Sequence, residues 1–68
     1  MWPFRRKHSI TGLLTTHDEG YIISPGWNEY WTVTLTPQQQ ILLYNHVRIK
    51  GTKTSDSHIV AEEITLLG

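Results

Sequence analysis

The chain contains no cysteine. A disulfide framework and a cysteine-based zinc site are both excluded, so stability must come from packing. No apolar run approaches the roughly 18–20 residues that a membrane helix needs, and no membrane span is expected. Basic residues stand near the N-terminus, but no apolar stretch follows them, so a secretory signal is not expected. Together with the missing disulfides, this points to a cytoplasmic location. Charge of one sign is also scarce: six Lys and Arg balance six Asp and Glu. A dedicated DNA-binding domain carries a strong basic excess, and this chain does not. Neither a G-x-S-x-G nucleophile elbow nor a Gly-rich phosphate loop is present, and no cofactor motif appears. The expectation is a protein that is not an enzyme and uses no cofactor.

The sequence of 68 residues suffices for one domain. A chain this short buries only about 60% of its unfolded surface, which leaves stability marginal. Its charge is unevenly spread. Arg5, Arg6 and Lys7 give the first seven residues a charge of +3, with Trp2 and Phe4 beside them. Residues 1–7 therefore read as a basic, aromatic arm, and residues 8–68 as the folded domain. The rest of the chain sets Arg48, Lys50 and Lys53 against six acidic residues, a net of −3.

Five segments have strand character. Residues 8–16 alternate, with Ile10 and Leu14 on one face and Leu13 on the other. Gly12 between them marks a bend that would let one long strand serve two neighbours. Residues 17–20 form a turn in which Gly20 would supply a positive φ. A short strand over 21–24 ends at the Pro25-Gly26 turn. Residues 28–35 have the cleanest period of two: Trp31, Val33 and Leu35 on a core face, Tyr30, Thr32 and Thr34 on a half-exposed face. Residues 46–53 place Val47, Ile49 and Gly51 inward and His46, Arg48, Lys50 and Thr52 outward. A turn over 54–57 leads to a last strand over 58–66. There Ile59 and Ala61 share one parity, and Ile64 and Leu66 the other. A β-bulge near Glu62-Glu63 reconciles them without burying a carboxylate.

Between the third and fourth strands, Thr36-Pro37-Gln38-Gln39 has the form of a capped helix start. A short helix over 37–44 is expected, with Ile41, Leu42 and Leu43 plugging one end of the core and Asn45 ending it in a left-handed conformation.

The order strand, strand, strand, helix, strand, strand, followed by Leu42-Leu43, Val47-Arg48-Ile49-Lys50-Gly51-Thr52 and an acidic strand from Ile59 to Ile64, resembles the end of small bacterial OB-fold domains, a group without one assigned function. The resemblance is close over residues 42–66 and loose before them. It departs at Asn45, where those domains often have glycine. It implies an all-β, five-stranded OB-like barrel with one short helix between strands 3 and 4. The alternative is an SH3-like barrel, in which that helix is missing or reduced to one 3₁₀ turn.

The resemblance further implies ligand binding on the face of the second and third strands, framed by the first-to-second and fourth-to-fifth loops. On this sequence that implicates Tyr21, Tyr30, Thr32 and Thr34, flanked by Lys53, with Trp27 able to join them. Aromatic rings stack on bases and cations hold phosphates, so single-stranded nucleic acid is the leading ligand. The rival is a protein-interaction or self-assembly module whose aromatic surface is an oligomer interface. The bland reading of Tyr21, Trp27 and Tyr30 is that they cover the core. Four histidines raise the question of a metal, but no two lie closer than nine residues apart. Only His46 and His58 could meet, across the last two strands, and no metal site is expected. Arg48 and Lys50 form a small basic stripe that also discourages edge pairing.

Overall fold

The computed structural model describes residues 7–68. The chain is all-β apart from one short helix. The strands are β1 (Lys7–His17), β2 (Gly20–Ser24), β3 (Trp31–Thr34), β4 (Asn45–Ser55) and β5 (His58–Leu66). They close into a ring in the order β1-β2-β3-β5-β4 and back to β1. Every pairing is antiparallel except that of β3 with β5. No helix among the described residues is long and apolar enough to cross a membrane. Lys7 is the first residue of β1, and the rest of the expected arm lies outside the described residues.

The long first strand serves two partners. Its first part pairs with β4 from Lys7 to Leu14, and its last part pairs with β2 from Leu13 to His17. Gly12 lies where the partners change. A Cβ there would be 2.6 Å from the Ser24 carbonyl carbon and 2.8 Å from the Pro25 nitrogen. Any side chain would push β2 away, so only glycine permits this crossing. Gly51 on β4 has the same role against β5: a Cβ would be 2.9 Å from the Val60 carbonyl carbon and 3.2 Å from the Ala61 Cα.

Period-two alternation delivers the core. Leu14, Ile23, Val33, Val47, Ile49, Ile59 and Ala61 are buried together. Each large side chain among them contributes roughly 1.5–3 kcal/mol by leaving water. Ile10, Trp31, Leu35, Leu42, Leu43 and Ile64 are half-buried against this cluster. The bulge expected in β5 is present. Lys50 pairs with Glu63 and Gly51 with Ala61, so Glu62 is the extra residue. The bulge turns the Glu62 carboxylate outward, where it bonds the Lys7 ammonium and accepts from Thr52 Oγ1 at 2.6 Å.

Several local expectations need correction. The helix is a 3₁₀ helix over Pro37–Leu42. Its capping box is formed as expected: Gln39 N donates to Thr36 Oγ1 at 3.3 Å, and Thr36 N donates to Gln39 Oε1 at 2.8 Å. It buries no residue fully, so little offsets the cost of nucleating a longer α-helix. Ile41 is not a plug but 82% exposed, and the half-buried Leu42 and Leu43 close the core alone. Tyr44, not Asn45, takes the positive φ, at 70°. Asn45 is the first residue of β4, and its Nδ2 donates to the carbonyls of Leu42 at 3.3 Å and Leu43 at 3.2 Å. The Asn45 amide thus satisfies carbonyls that the helix end leaves open. In the first turn Asp18 has the positive φ, 55°, and Gly20 does not. β3 is shorter than expected because Asn28, at φ 64°, belongs to the preceding turn.

Candidate functional site

A groove of about 350 Å³ opens beside β2 and β3. Its walls are the β1–β2 turn at residues 17–20, Tyr21 and Ile22 of β2, Thr32 and Val33 of β3, and His58 of β5. Register explains why these meet. Ile22 pairs with Thr32, and Thr32 pairs in parallel with His58, so one cross-strand row spans three strands on the outer face. The β1–β2 turn closes one end.

His58 is the best-fixed polar group of the groove. Its Nδ1 is 2.6 Å from Thr32 Oγ1 and its Nε2 is 2.8 Å from Thr34 Oγ1. Thr32 Oγ1 also donates to the Ser57 carbonyl at 3.2 Å, and the Thr32 backbone N–H donates to the same oxygen at 2.9 Å. With Thr32 Oγ1 donating to Ser57, the Nδ1–H of His58 donates to it, and Nε2 accepts from Thr34. At the other end His17 leans on Tyr30, ring centroids 5.6 Å apart and tilted by 42°. The His17 imidazole is also 3.5 Å from the Asp18 carboxylate.

The expected site residues divide. Thr32 lies in the groove floor. Tyr30, 54% exposed, stands at its rim against His17. Tyr21 lines the groove, yet it pairs with Val33 and packs on the core, so it shares the inward face rather than that of Thr32. Trp27 is 93% exposed in the β2–β3 loop and does not line the groove. Lys53 is elsewhere. It pairs with Ile59, and its ammonium lies over the Trp31 ring, 5.2 Å from the centroid. That cation–π contact covers the half-buried indole, which also meets His8 at 6.4 Å.

The first turn, residues 17–20, frames the groove as expected, whereas Ile22, Val33 and His58 line it without having been singled out as site residues. His58 joins the row only because β3 and β5 run parallel, and alternation within a strand carries no signal of its neighbour. His46 and His58 do not meet. His46 stands beside Leu13 at one end of β4, while His58 pairs with Ser55 at the other. Among the described residues no group of three His, Cys, Asp or Glu side chains is placed to hold a metal ion.

Comparison of the chain with protein-family models, with characterised proteins and with solved structures finds no match.

Proposed function

We propose that this chain is a non-enzymatic binding module built on an OB-like barrel, with its ligand on the outer face of β2 and β3. The observation that carries the reading is the groove. It lies on the strands, and beside the first loop, where an OB-like barrel binds ligands, and it includes the start of β5. The OB-like assignment draws on the ring order, on β1 being shared by β2 and β4, and on the helix lying between β3 and β4. The SH3-like alternative expects no helix there, or a single 3₁₀ turn. The helix here is 3₁₀ in type but runs six residues, about two turns.

Single-stranded nucleic acid, the ligand class first expected, draws support from the exposed rings of Tyr30 and Trp27. It draws none from the cations, because Lys53 is engaged by Trp31 and the groove walls hold no Lys or Arg. A second reading, self-association, is favoured by a separate observation. Ile41, Tyr44, Leu66 and Leu67 are large apolar side chains left exposed.

Amide NMR titration with measured mass separates the two. The binding reading expects ligand-induced shifts at residues 17–22, 32–34 and 58 in a chain of constant mass. Mass that rises with concentration, with shifts at Ile41, Tyr44 and Leu66 instead, refutes it in favour of self-association.

A further inference from the structure

β5 is paired along the whole of one edge and along only part of the other. On one side β4 accompanies it from His58 to Leu66. On the other side β3 pairs with it only from His58 to Val60. The helix meets that second edge at Ala61, whose carbonyl accepts from Gln39 Nε2 at 3.4 Å. Beyond that point no strand among the described residues lies against it.

The pairing with β4 shows which groups this edge presents. Bonded and non-bonded pairs alternate along an antiparallel ladder. Leu67 N donates to His46 O at 2.9 Å, so Thr65 and Glu63 also turn their backbone groups towards β4. The N–H and C=O of Ile64 and Leu66 therefore point the other way, as a template for a further strand. Natural edges resist such pairing with lysine, proline or a bulge. Here the bulge at Glu62 comes before the stretch, and residues 64–67, Ile-Thr-Leu-Leu, hold neither charge nor proline. Leu66 and Leu67 are large apolar side chains left exposed beside it.

Charge decides the occupant and its direction. The formal net charge of the chain is zero, so two copies do not repel as wholes. Parallel pairing would set Glu62 and Glu63 against their own copies at about 5 Å. Antiparallel pairing about a two-fold axis at Thr65 sets Ile64 opposite Leu66 of the second copy, apolar against apolar. It also holds the two copies of Glu63 about 13 Å apart along the strand, beyond the screening length of about 8–10 Å. The edge is thus its own complement, as a two-fold interface requires.

We infer that two copies of this chain associate through the outer edge of β5, antiparallel about an axis at Thr65. The inference rests on the self-association reading and supplies its geometry. None of the groove-lining residues belongs to this edge, so the contact does not use the groove.

The test measures the mass of the whole chain by sedimentation across a concentration series. The mass should rise from 7.9 kDa towards twice that value. Thr65→Lys, at an exposed position, should leave Tm unchanged and weaken association by about tenfold or more, because two ammonium groups would face each other across the axis. The chain has no cysteine, so single cysteines report the register without interference. Thr65→Cys should oxidise to a linked dimer, since the two Cα atoms would lie about 4.5 Å apart, within disulfide reach. Glu63→Cys should not. If the mass rises but Thr65→Lys leaves it unchanged, or Glu63→Cys links and Thr65→Cys does not, the edge inference is overturned while self-association stands. If the mass stays at 7.9 kDa throughout, both are overturned. If Thr65→Lys fails to fold, the linking pattern of the two cysteine variants decides.

Discussion

Gly51→Ala is the sharpest test of the packing argument. The added methyl would sit 2.9 Å from the Val60 carbonyl carbon and 3.2 Å from the Ala61 Cα, with the Val60 oxygen nearer still. Carbon atoms pack at about 3.5–4.0 Å, so this part of β5 must retreat by on the order of 1 Å. It has nowhere easy to go. Val60 pairs with Thr34 on its far side, Ala61 is buried, and the Glu62 bulge adjoins them. Overpacking of a tight site costs typically 1–3 kcal/mol, and here rigid backbone is struck rather than a side chain that can rotate away. For a chain of this size each 1 kcal/mol lowers Tm by about 4–8 °C. A fall of about 4–24 °C is expected, read by Trp fluorescence and circular dichroism together. Gly20→Ala is the control. Its nearest neighbour atom is the His17 carbonyl oxygen at 3.9 Å, and its φ is not positive. That change should leave Tm unchanged or raise it slightly, because alanine restricts the unfolded chain. A Gly51→Ala protein within about 0.5 kcal/mol of the parent would refute the reasoning, since that is the scatter of inert surface changes.

Other expectations follow from single contacts. Ile49→Ala removes a fully buried side chain and should cost about 2–5 kcal/mol by urea denaturation, enough to leave a domain this small largely unfolded. Asn45→Ala strips the bonds to the Leu42 and Leu43 carbonyls and should cost about 1–2 kcal/mol, with amide exchange accelerating near the end of the helix. Thr36→Ala breaks the capping box and should cost about 0.5–1 kcal/mol, whereas Thr36→Ser should restore most of it. Lys53→Ala should shift Trp emission and cost about 0.5–1 kcal/mol, while ligand-induced shifts at Thr32 and His58 stay as they are; loss of those shifts would return Lys53 to the site.

The strands were legible because alternation states which side chains share a face. Val47, Ile49 and Gly51 against Arg48 and Lys50 is such a statement, and so is the slip in parity that placed a bulge at Glu62. The capping box was legible because it is chemistry between neighbours. What failed involved choices between adjacent residues. Asn45 tolerates a left-handed backbone, but its amide is worth more as a donor to two open carbonyls, so Tyr44 takes the turn. Asp18 does the same in place of Gly20. The site was legible only by half. Thr32 and Tyr30 follow from the outward parity of the third strand. Tyr21 does line the groove, but from another face than Thr32, because parity within β2 says nothing of its register on β3, where it falls opposite Val33. Lys53 was drawn from its neighbourhood to a turn, and no local pattern revealed that Trp31 would attract it.

The join between β3 and its neighbours has a consequence for how the molecule opens. β3 is only four residues long and is held on each side by three paired positions, whereas β1 and β4 share eight. β3 is therefore the clasp of the ring, the strand with least to hold it, with the two threonines and His58 as its catch. Local opening of such an element costs less than global unfolding. A ligand seated across β2, β3 and His58 would lie over that catch, so occupancy would raise the opening energy of the very strand on which it rests.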